Sequence, residues 1–519
     1  MEAGSVRGAE LGDTEWRACA TTDAEKHELH QATFTNLWYR IRVIISNAYQ
    51  RTVGSSNIYR ALPTPGSTNP APATRAVSRT ASYDGLRGLA CLVVFNFHFL
   101  YPYSNTMKHG YGMNSKNMYL HQLPILSLLV RGRAMVVLFF AISGYVLSYG
   151  FLASMRSGQS DKALSRLASL TIRRWMRLFL PATASMLLAC LASYLGAFDS
   201  GRKLEKTPWI TGMWEQHPPR YSTLYAQIHD FTKMWWAWQS PFVWRLYYSL
   251  YDPHTWTIPV EFKCSMVLFV LLVGSAGLKQ RWKFGLVLLV TWCSLLYKRW
   301  DVATFTAGAL VADLHQRAAH RKEQTCVLPL DDQQQLEPPR RGSHLKTILK
   351  WLLFLTSLYV LSFPDNFPKK TPGYKTLRWL TPSAYKDAHY FWHSVAASFI
   401  IWSVEELPPI RNFLSTSVPQ YLGRTSFAFY LVHGPILHSA GFALQPAIWA
   451  ATGHETTTQW CFGLLIGWVI MLPLSLGAAH VFYKLVDAPL VRVTRWLEQC
   501  ALDKPASRTP KDEEKQATS

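Results

Sequence analysis

Long apolar runs, separated by short polar stretches, fill the middle of this 519-residue chain. An α-helix rises about 1.5 Å per residue, so about 20 mostly apolar residues cross the hydrocarbon core of a bilayer. Ten candidate runs follow one another, at 85–101, 134–155, 178–198, 259–277, 284–297, 302–314, 348–363, 390–404, 425–449 and 460–483. The pattern therefore predicts an all-α polytopic membrane protein with about ten transmembrane helices, of which the fifth and sixth are short.

Basic residues between the runs predict the orientation of the chain. They are frequent in the second, fourth and sixth connections and after the last run, whereas the ninth connection, at 450–459, contains no lysine or arginine. Because basic loops stay on the cytoplasmic side, this distribution predicts cytoplasmic N- and C-termini. The seventh connection departs from the rule, since five basic residues there would face away from the cytoplasm: Lys369, Lys370, Lys375, Arg378 and Lys386.

Polar tails flank the apolar region. Residues 1–82 end in a stretch rich in proline, alanine and threonine, which predicts a mostly disordered tail. Within it, 34–50 mixes aromatic and β-branched residues with two arginines, and this is typical of an amphipathic helix in the membrane interface; a short buried helix fits the pattern equally well. Residues 83–494 form the predicted membrane domain, and 495–519 a polar C-terminal tail. The first thirty residues contain no apolar core, so we expect no signal peptide.

Composition supports a membrane protein and narrows its partners. Charged residues make up 16% of the chain and hydrophobic residues 49%, and a soluble domain would carry about a quarter charged residues. The net charge of +21 is compatible with nucleic-acid binding or with basic cytoplasmic loops. Because the basic residues cluster between apolar runs, we expect the lipid bilayer as a partner and no nucleic acid. The eight cysteines are scattered without a Cys-x-x-Cys pair, so we expect no metal site.

The first apolar run carries an unusual pair of ionisable residues. Arg87 and His98 are eleven positions apart, which places them within roughly 20° of each other on one helix face. Asp84 and Cys91 lie near the same stripe. Ionisable residues are costly inside a membrane, so the stripe indicates a functional site that faces the protein interior. The alternative is that Arg87 reaches to the interface as an anchor and that His98 is a packing residue.

Three further motifs carry candidate chemistry. Arg174 and Arg177 are three positions apart, so as neighbours on a helix they could hold one anion, such as a phosphate of a cytoplasmic donor; a basic membrane anchor is the alternative. Glu261 follows Pro259 in the first turn of the fourth run, where a carboxylate could orient a histidine or an arginine or simply cap the helix. His433 places a second histidine inside a run.

The order of these motifs resembles the membrane-bound acyltransferase family 3, and more closely its filamentous-fungal branch. The resemblance covers 83–494, and at Pro259 and Phe262 the chain departs from many relatives, which have serine or alanine and an acidic residue there. The matching segments are DGLRG (84–88) with ten residues between Arg87 and His98, FFAISGY (139–145), RRWMRLFLP (173–181), HTWTIPVEF (254–262), GRTSFAFYLVH (423–433) and DAP (487–489).

The resemblance implies a ten-helix membrane domain that transfers an acyl group, often acetyl from acetyl-CoA, to a hydroxyl of a sugar, a lipid or a small molecule. Fungal relatives often act on secondary metabolites. We therefore expect acyl-CoA as a co-substrate without a permanently bound cofactor, a small-molecule alcohol as acceptor, and an endomembrane location such as the endoplasmic reticulum rather than the plasma membrane.

Chemistry and resemblance together suggest roles for the six candidate residues. An alcohol that attacks a thioester must lose a proton, and a neutral buried histidine is a suitable acceptor, so His98 is the predicted general base. Asp84 or Glu261 is the predicted orienting group. The predicted donor-binding residues are Arg87, Arg174 and Arg177.

No covalent nucleophile is evident, which favours direct transfer from donor to acceptor. A transporter or flippase for a lipid or metabolite remains the alternative, although such proteins commonly have inverted repeats and none is visible in the sequence.

Overall fold

A computed structural model of the chain describes residues 80–204, 207, 211–214, 216–326 and 342–501. These residues all belong to one compact unit. The predicted tail with its interfacial helix at 34–50 lies outside the described residues, as does the C-terminal tail after residue 501.

The described part of the chain is helical and contains no β-strand, so the predicted all-α fold is confirmed there. Short 3₁₀ segments and two π-helical turns, Leu437–Gly441 and Tyr483–Asp487, join or extend the helices. The α-helices are Ala81–Leu100 (α1), Gly132–Arg156 (α2), Ser160–Tyr194 (α3), Asp199–Leu204 (α4), Leu224–Trp238 (α5), Thr257–Gly274 (α6), Gln280–Leu296 (α7), Trp300–Cys326 (α8), Gly342–Leu361 (α9), Lys375–Leu380 (α10), Ala388–Glu406 (α11), Pro408–Leu414 (α12), Ser417–Ile436 (α13), Phe442–Thr452 (α14), Thr457–Phe482 (α15) and Ala488–Ala501 (α16).

Each of the ten predicted apolar runs falls on a helix, the ninth on the continuous α13–α14 segment. Within the described residues, six helical segments are long and apolar enough to cross a membrane: Gly132–Arg156, Ser160–Tyr194, Pro253–Gly274, His344–Leu361, Ser417–Thr452 and Thr457–Cys500. These segments indicate a membrane protein. Ten crossings and the orientation of the termini stay predictions, because helices such as α7, with 17 residues, are short for a full crossing.

Glycines bring α1 and α13 into close contact. A Cβ atom at Gly88 would overlap the backbone nitrogen of Gly423, and one at Gly423 would overlap the carbonyl oxygen of Asp84. Small residues at a helix crossing let two backbones approach closely in a membrane protein. Arg87 then ties the helices together by donating to the hydroxyl of Ser426 at 3.0 Å and to the Gly423 carbonyl at 3.0 Å. This crossing fixes the first half of α1, which carries Arg87, against α13.

A second close crossing joins α2 to α8. A Cβ atom at Gly144 would overlap the carbonyl oxygen of Phe305, and one at Gly308 would overlap the carbonyl oxygen of Ala141. Beside this crossing, the Ser143 hydroxyl donates to Glu261 Oε1 on α6 at 2.8 Å. The crossing therefore presents a polar side chain of α2 to the start of α6.

Candidate functional site

Three histidines from distant parts of the chain converge at one end of α1. His98 lies in the last turn of α1, His254 in the 3₁₀ turn Pro253–Trp256, and His433 near the end of α13. One side-chain nitrogen of each lies within 4.8 Å of the other two. His254 and His433 are 4% and 1% exposed, and His98 is partly buried. Such a group of imidazoles forms a candidate reaction centre inside the membrane domain.

A hydrogen-bonded chain connects a buried carboxylate to His98. Asp252, which is 1% exposed, accepts from His254 Nδ1 at 2.9 Å. His254 Nε2 in turn lies 2.8 Å from His98 Nδ1. An ionised carboxylate only accepts hydrogen bonds, so Nδ1 of His254 carries its proton and Nε2 of the neutral ring accepts from His98 Nδ1. In neutral His98, Nε2 is then the unprotonated nitrogen and can take a proton. These tautomers are assigned from the hydrogen-bond pattern.

The turn before α6 holds this chain in place. The Asp252 side chain caps the 3₁₀ turn by accepting from the backbone N–H of His254 at 3.1 Å, and Pro253 supplies a preset φ at the first position of the turn. The Tyr430 hydroxyl donates to the carbonyl oxygen of His254, and Thr257 Oγ1 lies 2.6 Å from the same hydroxyl. A Cβ at Gly434 would overlap the His254 ring. Contacts from α6 and α13 therefore hold the His254 backbone, and Gly434 of α13 packs against its ring.

The arrangement resembles a three-histidine metal site, but its distances fit a hydrogen bond better. Nitrogens that each lie 2.0–2.1 Å from a tetrahedral zinc ion are about 3.3 Å apart. The 2.8 Å separation between His254 Nε2 and His98 Nδ1 is shorter than this and is ordinary for an N–H···N contact. The geometry therefore favours proton transfer along the chain over metal binding.

Both carboxylates predicted from the sequence pair with arginines. Asp84 forms an ion pair with Arg87 at 3.1 Å in the first turns of α1, and both side chains are partly exposed. Glu261 forms an ion pair with Arg174 at 2.6 Å. Asp84 precedes His98 by fourteen residues, about 21 Å along the helix, which is too far for direct contact. Among the described residues, Asp252 is a carboxylate that is hydrogen-bonded into the histidine chain.

The predicted donor-binding arginines lie together near the start of α1. Arg177 is exposed and lies within electrostatic range of Arg87, Arg174 and the carboxylate of Asp487. Arg495 of α16 contributes further positive charge. The structure therefore brings Arg87, Arg174 and Arg177 to one place, at the end of α1 opposite to His98.

Asp252 and His254 were not assigned roles from the sequence. A local signal exists, because an Asp-Pro pair before a helix is typical of a capped turn. The contact between His254 and His98, however, joins residues 156 positions apart, and no local pattern predicts it.

Comparisons with known proteins relate this chain to acyltransferases. A family model described as an acyltransferase domain matches residues 80–484. The chain is 28% identical over 449 residues to acyltransferase clz18 of Cochliobolus lunatus, covering 79% of this chain and 94% of that protein. It is 27% identical over 455 residues to acyltransferase R4 of Phoma sp., with 80% and 95% covered, and 28% identical over 450 residues to O-acetyltransferase PaAT-1 of Phomopsis amygdali, with 81% and 84% covered. No solved structure matches the chain.

Proposed function

Because the chain belongs to the acyltransferase 3 family, we propose that it is an integral-membrane O-acyltransferase that moves an acyl group from acyl-CoA to a hydroxyl of a small molecule. The observation that carries this proposal is the chain of hydrogen bonds from Asp252 through His254 to His98. Acetyl is the proposed acyl group, supported by the name of the O-acetyltransferase PaAT-1, and a fungal secondary metabolite is the proposed acceptor.

His98 acts as the general base in this proposal. Its Nε2 takes the proton of the acceptor hydroxyl while the oxygen attacks the thioester carbonyl carbon and the new C–O bond forms. The tetrahedral intermediate then collapses, the C–S bond breaks, and the His98 imidazolium returns the proton to the departing thiolate. CoA leaves as the free thiol and His98 becomes neutral again. The chain through His254 to Asp252 stabilises the transient imidazolium.

The arginine end of α1 suits the phosphates of the donor. Arg87 and His98 are about 16 Å apart along the helix axis. The arm between the diphosphate and the sulfur of CoA has about as many backbone bonds as four amino-acid residues, so it reaches about 14 Å when extended. A donor whose phosphates bind Arg87, Arg174 and Arg177 can thus present its thioester near His98. In this arrangement Asp84 and Glu261 position the arginines rather than the histidine.

A transporter or flippase is not favoured, because the family match and the three relatives all describe acyltransferases. The two classes of protein differ in what happens to the small molecule. An acyltransferase converts its acceptor into an ester, whereas a transporter leaves the transported molecule unchanged. We further propose that the protein resides in an endomembrane, where acyl-CoA reaches the arginine end of α1 from the cytoplasm.

Product analysis tests the proposed function. Metabolites are compared between cells that express the protein and cells that lack it. Membranes from both kinds of cell are then supplied with labelled acetyl-CoA and, as a source of acceptor, with a metabolite extract of the cells that lack the protein. The expected result is an acetyl ester that forms only with the protein, together with stoichiometric release of free CoA. Unchanged metabolites combined with no protein-dependent consumption of acetyl-CoA or longer acyl-CoA would contradict the proposal.

A further inference from the structure

His433 lies in the histidine site but takes no part in the chain from Asp252 to His98. Its Nδ1 lies 2.7 Å from the carbonyl oxygen of Tyr430 and 3.2 Å from that of Phe429. A carbonyl oxygen only accepts, so Nδ1 carries the proton and Nε2 of the neutral ring is an acceptor. Nε2 is enclosed by protein and has no hydrogen-bond partner in the part of the chain that the structure describes.

The neighbouring imidazoles direct their known N–H groups elsewhere. His254 donates from Nδ1 to Asp252, and its other nitrogen is an acceptor. His98 donates from Nδ1 to His254. In neutral rings, the remaining nitrogens of both neighbours are acceptors, like His433 Nε2. Native proteins rarely leave a buried polar atom unpaired, and none of the described residues pairs with His433 Nε2. A molecule that enters the site is therefore a suitable hydrogen-bond donor for this nitrogen.

We propose that His433 determines acceptor specificity by accepting a hydrogen bond from a second donor group of the acceptor, adjacent to the hydroxyl that His98 deprotonates. The substrate class is then a vicinal diol or an amino alcohol. The inference rests on the proposed function. The centroids of the His98 and His433 rings are 5.3 Å apart. Hydrogen bonds of this type span about 2.8 Å, so the two rings can each contact one of two neighbouring hydroxyl groups.

This geometry predicts discrimination against simple alcohols. A site with a buried polar group that binds a substrate hydroxyl rejects the analogue without that hydroxyl, because the group is then left unpaired. The loss of one such neutral hydrogen bond corresponds to an about 10- to 100-fold difference in kcat/KM between a diol and its deoxy analogue. An apolar side chain in place of His433 removes this difference, because the deoxy analogue no longer leaves an acceptor unpaired.

Paired acceptors test the proposal on the full chain in its membrane. The ester formed by the wild type identifies the acceptor, and kcat/KM is measured for that acceptor and for the analogue without the neighbouring hydroxyl or amino group. His433→Phe keeps a planar ring without ring nitrogens. We expect the wild type to prefer the intact acceptor about 10- to 100-fold and the variant to lose most of this preference, with KM for acyl-CoA unchanged.

His438→Phe serves as the matched control. His438 is another buried histidine near the site, and its Nδ1 already lies 3.2 Å from Nδ1 of His217. This variant is expected to keep the wild-type preference, whatever its rate.

Three results would overturn the inference. The first is a wild type that transfers acyl groups equally well to both acceptors. This result needs no variant, so it would overturn the inference even if His433→Phe fails to fold. An unchanged preference in His433→Phe would also exclude the role. A raised KM for acyl-CoA with equal losses on both acceptors would assign His433 to the donor instead. All three leave the proposed function intact, whereas a wild type without any acyl transfer would refute the proposed function itself.

Discussion

Replacing Asp252 with asparagine tests whether a buried carboxylate supports the catalytic histidine. The substitution keeps the size of the side chain and removes its charge. Asp252 is hydrogen-bonded to His254 Nδ1 at 2.9 Å, and His254 is bonded to His98 at 2.8 Å. The variant therefore changes the electrostatics of His98 through one intervening ring, while the packing of the turn before α6 is retained.

The expected loss follows from these distances. The carboxylate oxygen and His98 Nδ1 are separated by two hydrogen bonds and one imidazole ring, about 8 Å, and at an effective dielectric constant of about 20 a unit charge at that distance stabilises the imidazolium by about 2 kcal/mol. This corresponds to an about 30-fold lower kcat.

A reversed asparagine would lower kcat further. If its amide N–H₂ faces His254 Nδ1, both histidines adopt the opposite tautomer and His98 Nε2 becomes protonated, so it can no longer act as a base.

The assay measures acyl transfer and thermal unfolding of the same purified variant. Asp230→Asn is the matched control, because Asp230 is also a carboxylate that accepts a hydrogen bond, from the Tyr251 hydroxyl at 2.8 Å, but it lies outside the histidine chain. We expect Asp252→Asn to lower kcat with little change in the KM for acyl-CoA, and Asp230→Asn to keep the wild-type kcat. A wild-type kcat in Asp252→Asn would refute the role of the carboxylate.

Two further predictions address the donor site and the helix crossing. Glu261→Gln weakens the ion pair that holds Arg174, so the KM for acyl-CoA should rise about 3- to 10-fold with little change in kcat; a loss confined to kcat would instead assign Glu261 to the reacting groups. Gly423→Ala places a Cβ against the carbonyl oxygen of Asp84, so thermal unfolding in detergent should show a loss of about 1–3 kcal/mol, whereas Gly477→Ala, which has no neighbour within 4 Å, should unfold like the wild type.

The sequence predicts helices well because its longer apolar runs have the length that a helix needs to cross a membrane. The runs at 85–101 and 425–449 both fall on helices, and each carries a histidine that the structure places in the site. Helix geometry also predicts the distance between Arg87 and His98 along the axis, because both residues lie on the same helix and this distance depends only on the rise per residue.

Which carboxylate meets the histidines depends on contacts between distant segments. Glu261 lies in the first turns of α6 and Asp252 precedes that helix by five residues, so both are plausible partners by sequence. The fold directs Glu261 towards Arg174 on α3 and Ser143 on α2, whereas the capped turn directs Asp252 towards His254. Helix periodicity also does not predict the glycine crossing of α1 and α13, which brings His433 close to His98.

The proton-accepting role of His98 is the central claim, and the acyl-transfer rate of His98→Gln tests it most directly. Glutamine retains polar groups but cannot act as a base near neutral pH, so kcat should fall about 10²- to 10⁴-fold while acyl-CoA still binds. Cys91→Ala, in the same helix and buried, controls for a general disturbance of α1 and should keep the wild-type rate. A well-expressed His98→Gln protein that transfers acyl groups at the wild-type rate would contradict the account.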